Sequence, residues 1–409
     1  MAVHAQSFHK KDVKQKQDSI KKDVFLKSLG NGFLPSKYFN LDLRYLIKFN
    51  QYEGVRSGIG GETNQAFSEK FRVNSYLVYG FKDRRFKYSI GSGFRLSKKT
   101  NTWLNLSYTD DLQETGSTRF LTDKRFFQFF EPRLLNIDLF HKHITKALTL
   151  AHEFSPYLIS ETEWAVSNIN PTYGYNFITN RGSSSEFHLT TAKIAFQWSP
   201  FNTIQTSEKG IEATKNGYPK FTLQYTKSFN NVFKSDFSFS KLDFRMLHKI
   251  GNEKASFSEI TVVSGLASGD IPITHLYHAY PNNINKQEIL QRFSVAGLNS
   301  FETMFFNEFF SDQFATFQLK HFVKPFKISA HYNPQLVLIT RFAVGDMTQP
   351  ERHENINFGS LKKGYTESGF ELNKLLFGFG LSCSYRYGGY HLPKFADNVA
   401  LKFTFNLSI

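Results

Sequence analysis

The 409-residue chain carries 50 Lys and Arg against 35 Asp and Glu, a formal net charge of +15, and only 40% of its residues are hydrophobic. No run of about 20 apolar residues exists to cross a membrane as a helix, but a mean hydropathy of −0.38 is compatible with a wall of strands in which every second residue is apolar. The positive charge is scattered, without a basic helix or a compact aromatic–basic motif, so nucleic acid is not the expected partner. The aromatic share of 17%, with 46 Phe and 19 Tyr, suits strands and membrane–water interfaces. One cysteine, Cys383, excludes an internal disulfide.

In chain order, residues 1–37 read as a polar periplasmic tail or short helix ahead of the wall. Strands then follow with a period of two. The first sets Leu41, Leu43, Tyr45, Ile47 and Phe49 against Asp42, Arg44 and Lys48. Further strands are expected near 53–63, 67–80, 86–96 and 104–108; in the third of these, Gly91 and Gly93 lie on the polar face, where a curved wall favours small residues. The stretch 111–137 breaks the alternation and reads as a long loop with a helical turn. Strands resume near 139–152, 157–168 and 185–198, and Phe221, Leu223 and Tyr225 mark another. After Phe237 and Phe239 the apolar phase jumps to Leu242, Phe244 and Met246, the signature expected of a β-bulge. Beyond a strand near 254–266, residues 267–311 form the longest non-alternating stretch. Five strands follow it, and the last alternates Val399, Leu401, Phe403, Phe405, Leu407 and Ile409 with small or polar residues.

This pattern predicts an all-β transmembrane antiparallel barrel over 38–409, of about 16 strands, with lipid outside and water inside. Every second connection should be short and periplasmic, and the long stretches 111–137, 168–184, 267–311 and 344–364 should lie outside. The connection 199–218 departs from that rule by being long on the periplasmic side.

Several clusters resemble a Gram-negative outer-membrane barrel family of unknown function that often carries an N-terminal carboxypeptidase-like regulatory domain. They include Asn50-Gln51-Tyr52-Glu53-Gly54-Val55-Arg56, Gly60-Gly61-Glu62-Thr63-Asn64, Tyr79-Gly80-Phe81-Lys82-Asp83 and Ser256-Phe257-Ser258-Glu259-Ile260. Asn299-Ser300-Phe301-Glu302-Thr303-Met304 and Asn307-Glu308-Phe309-Phe310-Ser311-Asp312 complete the set, and the resemblance covers roughly 35–409. More distantly, the layout resembles the BamA/TamA surface-antigen superfamily, with its long loop between strands 11 and 12. The sequence lacks that superfamily's Arg-Gly-aromatic loop motif, for which Gly297-Leu298-Asn299-Ser300-Phe301 is the nearest stand-in. The resemblance implies an outer-membrane location and a role in outer-membrane biogenesis or in protein or solute translocation. Membrane lipids and other envelope proteins are its expected partners.

The candidate functional residues lie in the long loop and beside it: Asn299, Ser300, Phe301, Glu302, Met304, Asn307, Glu308, Ser311, Asp312 and, on a following strand, Arg341. The loop is expected to tuck into the lumen with one carboxylate on an inward arginine, of which Arg341 is the candidate; the alternative is that Asn307-Glu308 simply opens the next strand. His141 and His143 share a strand face, and His275 and His278 lie three apart, but neither pair has zinc-like company, so no metal or cofactor is expected. Ser258-Glu259 and Ser311-Asp312 are available for a rim-active lipid enzyme, yet no nucleophile elbow or phosphate-cradling loop appears, and no catalysis is expected. A passive channel for small solutes is the competing reading.

Overall fold

In the computed structural model the described residues run from 32 to 405, excluding 124–132, 134–136, 181, 208–209, 216, 285–293, 329–331 and 377. The expected N-terminal tail and the last four residues of the final strand therefore lie outside the described residues, as does most of the expected helical turn in 122–136.

One 19-stranded sheet dominates. Its antiparallel ladder starts with Phe39–Asp42 and Ile47–Asn50, two pieces separated by a 3-10 turn and both paired with Gly54–Thr63. It continues through Phe71–Gly80, Arg85–Ser97, Thr102–Glu114, Phe140–Ser155, Leu158–Pro171, Phe187–Trp198 and Lys220–Ser228. Phe239–Gly251, Phe257–Gly269, Gln313–Phe322, Gln335–Asp346, Tyr365–Leu376, Phe379–Gly388 and Val399–Phe405 complete it. Neighbours in space are neighbours in sequence, as antiparallel hairpin connections allow.

The two faces differ sharply. On the last strand Leu401 and Phe403 are 39% and 42% exposed, whereas Ala400, Lys402 and Thr404 are nearly covered. Phe86, Ile90 and Phe94 are likewise exposed opposite buried Lys87 and Ser89. Apolar side chains thus form an outward band far larger than a water-soluble monomer presents, while charged groups are covered on the other face. That arrangement fits a wall bathed in hydrocarbon.

Both ends of the ladder are capped. Phe33–Pro35 pairs antiparallel with Phe39–Asp42, and Ser294–Val295, from the long loop, pairs in parallel with Val399–Phe405. Among the described residues no ladder joins the first strand to the last, so the sheet does not close on itself.

Two local expectations need correction, and one departure finds its cause. Phe239–Gly251 keeps one register with both neighbours, so there is no bulge after Phe239. Phe237 and Phe239 instead face inward, in a core with Phe177, Phe187, Leu189, Ile273 and Leu276. The apolar phase jumps because the upper part of the inner face is dry. The connection 199–218 holds a two-stranded hairpin, Thr203–Ser207 with Gly210–Lys215, which accounts for its length. Finally, Asn307 and Glu308 sit in a turn, with Asn307 at φ 63, and the next strand begins at Gln313.

Candidate functional site: a loop held on the inner face by buried ion pairs

The segment between Gly269 and Gln313 does not stand away from the wall. Its Pro281–Asn283 and Phe301–Phe305 pair in parallel, and Phe301, Glu302, Thr303 and Met304 are almost wholly buried. A second apolar cluster joins Tyr277, Phe301, Met304 and Phe309 of the loop to Phe314, Ala343 and Tyr365 of the wall. Gly265 makes room for this docking: a Cβ there would lie 2.4 Å from Cζ of Tyr277. A larger side chain at 265 would displace the Tyr277 ring and, with it, the 2.6 Å hydrogen bond its hydroxyl donates to Asp243.

Burying polar loop backbone against charged strands is costly unless every group finds a partner. Three carboxylates organise that satisfaction. Glu302, 1% exposed, accepts hydrogen bonds from Asn282 Nδ2 (2.8 Å), Gly297 N (3.1 Å) and Ser300 Oγ (2.7 Å), and lies 3.1 Å from Lys402 Nζ of the last strand. Lys402 also donates to the Asn282 carbonyl. Burial raises the Glu302 carboxyl, but Lys402, Arg341 and the hydrogen bonds from Ser300 and Asn282 outweigh it and hold it below the usual carboxylate range. Glu308 takes a two-pronged contact from Arg386, Nη2 at 2.6 Å and Nη1 at 3.1 Å, and caps Phe305 N at 3.0 Å. There burial wins over Arg386, and the carboxyl is raised. The third carboxylate belongs to the wall. Glu367, 0% exposed, accepts from Glu302 N (3.1 Å), Thr303 N (2.6 Å) and Thr303 Oγ1, while Arg341 Nη1 reaches it from the other side.

Arg341 is therefore at the site but its carboxylate is Glu367 on the neighbouring strand, not one from the loop. Its Nε donates to Gln318 Oε1 at 2.8 Å, and Gln318 Nε2 in turn reaches Asn299 Oδ1 at 3.2 Å. The loop carboxylates expected to meet Arg341 meet Lys402 and Arg386 instead. Of the other candidates, Ser300 is spent on Glu302, Met304 and Phe301 are core, and Asn307 donates to Asp138 at 3.0 Å. Asp312 Oδ2 accepts from Thr348 N at 2.8 Å, whereas Asp312 Oδ1 and Ser311 Oγ are buried without a hydrogen-bond partner. Lys402 and Arg386 were missed by the sequence reading, which took the positive charge only as scattered. The signal available was that both lie inward on the strands following the loop.

A second anchor sits at the far side of the loop. Glu114 binds Arg133, whose Nε donates to the Pro281 carbonyl at 3.1 Å, and Glu114 Oε1 lies 2.7 Å from His278 Nε2. Gly116, at φ +78, turns the chain here with Phe310 close enough (2.8 Å) to forbid a Cβ. Above it, Asn176–Thr179 pairs with Gly182–Ser184 and with His353–Glu354, forming a small cap sheet.

In that cap, His353 stacks on Phe177, and its Nδ1 lies 2.7 Å from the Tyr175 hydroxyl. Burial, then the nearby Arg352 charge, depress its imidazole to about 4. A depressed histidine stabilises the folded cap fully above the ordinary value near 6.5 and loses that contribution as pH falls through about 4. Limited proteolysis within 172–186 and 347–364 should therefore accelerate between pH 6.5 and 4, and His353→Gln, which cannot charge, should flatten the dependence.

Of the histidines weighed for metal binding, His278 parts from His275 to serve Glu114, while His143 and His275 lie near His141, their rings tilted at 6.4 and 6.3 Å between centroids. Among the described residues no group of three His, Cys, Asp or Glu is arranged to hold a metal ion. Ser258 Oγ does lie 2.9 Å from His321 Nδ1 across two strands, a contact invisible to sequence spacing. Ser258's neighbour Glu259 is bound to Lys249 at 2.8 Å.

The fold so described is a large antiparallel wall with its longest connection laid on the inner face, and the wall has a counterpart among solved structures. BamA from Haemophilus ducreyi lacking POTRA domains 1-3 superposes with a TM-score of 0.52 at 11% identity, covering 87% of this chain and 68% of that one. CdiB from Acinetobacter baumannii gives 0.44 at 9% identity, over 87% and 57% of the respective chains. Residues 149–325 match the family described as "Family of unknown function (DUF5686) C-terminal domain", within the span where the motifs place the resemblance. No curated protein matches the chain.

Proposed function

We propose that the chain is an outer-membrane β-barrel, stoppered by its own long outer loop, that acts without catalysis in envelope biogenesis or in moving protein or solute across that membrane. On this reading the two pieces before Asn50 count as one interrupted strand, giving a wall of about 16, and the surrounding lipid is its constant partner. The observation that carries the reading is the conjunction of an exposed apolar face with a polar face on which Glu302, Glu308 and Glu367 pin the loop. A wall of this size around an unfilled interior would be an open aqueous channel. The loop is in the position to close it.

Planar-bilayer recording of the full chain tests this. Glu308→Lys sets a cation against Arg386 and should release the loop at a cost of about 3–5 kcal/mol, raising single-channel conductance from a low native level. Unchanged conductance would count against the stopper. A standing channel for small solutes is favoured by one observation: part of the polar face, including Arg72, Asn105 and Glu161, is only half covered. High conductance in the native protein would select that reading.

A further inference from the structure

We infer that the cavity beside the loop tip is a binding site for a small zwitterion with an apolar side chain, of the free amino-acid type. The inference rests on the barrel reading above and names the solute class that such a wall would take up.

The cavity measures about 350 Å³, within the range of small-ligand sites. The loop enters the wall at Gln313, and the cavity lies by the opposite end of that strand, at Lys320 and Phe322, the periplasmic end on the barrel reading. Leu298 and Asn299 of the loop tip form part of its lining. Gln318 ties that tip to the wall, its Nε2 reaching Asn299 Oδ1 at 3.2 Å and the Leu298 carbonyl at 3.4 Å.

Lys320 lines the cavity although the residue is only 6% exposed. Among the described residues its ammonium makes no hydrogen bond, and its ion-pair partner, Glu371 Oε1, stands 3.6 Å away, too far for one. Glu371, equally buried, accepts from Asn373 Nδ2 at 3.0 Å through its other oxygen. The pair spans a strand, with Lys320 opposite Ile339 and Glu371 opposite Val337. Burying an ammonium costs several kcal/mol unless it is paired and hydrogen-bonded. Other cations of the inner face meet that condition: Lys402 holds Glu302 and the Asn282 carbonyl, and Arg386 holds Glu308 with two nitrogens. Lys320 and Glu371 keep unused bonding capacity, side by side on the cavity lining.

Charge balance selects the guest. Lys249 and Glu259, also in the lining, neutralise each other at 2.8 Å, so the positive and negative charges there cancel, two against two. A simple anion drawn to Lys320 meets Glu371 beside it, and a simple cation drawn to Glu371 meets Lys320; each forfeits to repulsion much of what it gains. A zwitterion gives its carboxylate to Lys320 and its ammonium to Glu371, forming two charge-assisted hydrogen bonds. The apolar part of the guest has surfaces to cover. Leu298 is left 46% exposed, Phe322 is stacked on Phe257 at 4.4 Å between centroids, and the Tyr218 ring lies beneath Lys249.

The test is equilibrium dialysis of the full chain in detergent micelles against three probes with one apolar body. They are L-phenylalanine, hydrocinnamate, which lacks the ammonium, and phenethylamine, which lacks the carboxylate. The native chain should bind phenylalanine about tenfold tighter than either analogue, the effect of one hydrogen bond between charged groups. Lys320→Met should weaken phenylalanine about tenfold and strengthen phenethylamine, whereas Glu371→Gln should weaken phenylalanine to the same degree and strengthen hydrocinnamate. Misfolding does not produce that reciprocal exchange, and the comparison of probes on the native chain needs no variant. Equal binding of the three probes, no binding of phenylalanine at millimolar concentration, or variants that weaken every probe alike would each overturn the site. Heat-modifiable migration of the unaltered chain is read separately. Its loss sinks the barrel reading itself, whereas its retention with failed binding sinks only the site.

Discussion

Arg341→Ala should destabilise the protein by about 3–5 kcal/mol, because it leaves the buried Glu367 carboxylate without its ion-pair partner. Both side chains are at most 1% exposed, so water cannot take the place of the guanidinium without opening the site. The loss should spread, since Glu367 also orders Glu302 N and Thr303 N, and Gln318 loses the donor that orients it toward Asn299. Denaturant unfolding in detergent micelles, followed by heat-modifiable migration, measures it. Glu367→Gln in the same chain should restore much of the loss, because the amide oxygen still accepts from Thr303 and no charge remains. A single-variant effect below about 1 kcal/mol would mean that the pair behaves as a surface pair.

Lys402→Met should cost about 3 kcal/mol, the lower end of the same range, because Glu302 keeps three hydrogen-bond donors after the ammonium is gone. Methionine preserves most of the buried stem, so packing against the last strand is little changed. The effect is expected to fall on the loop rather than on the wall. Added protease should cut within 294–305 in the variant and not in the native chain, with heat-modifiable migration retained. The companion Glu302→Gln, paired with Lys402→Met, should recover protection. Protease resistance equal to native in Lys402→Met would show that the apolar contacts of Phe301, Met304 and Phe309 hold the loop alone.

Most of the wall was readable from alternation, because each strand is sorted by two phases on either side of a thin sheet. Leu401 and Phe403 face out and Lys402 and Thr404 in, as a period of two requires. The reading failed where the inner phase is also dry. Phe237 and Phe239 pack on Ile273 and Leu276, and nothing local in the sequence announces that a loop more than thirty residues downstream will cover them. The partners in the site were hidden for a related reason. Which carboxylate meets Arg341 depends on the register that sets it opposite Glu367, and that register is a property of two strands together. Within the loop motifs around Asn299–Asp312, Glu302 and Glu308 are the side chains that Lys402 and Arg386 hold.

The dry cluster beneath the cap has a kinetic meaning. It draws Phe177, Phe187, Phe237, Ile273, Phe310 and Met347 from positions as much as 170 residues apart, so nucleating it requires very long chain closures. Neighbouring hairpins of the wall need only short ones. Maturation is therefore expected to be ordered, with the hairpin sheet assembling first and the interior setting last; on the proposed barrel reading, a newly inserted molecule would pass through a stage in which its bore is still clear.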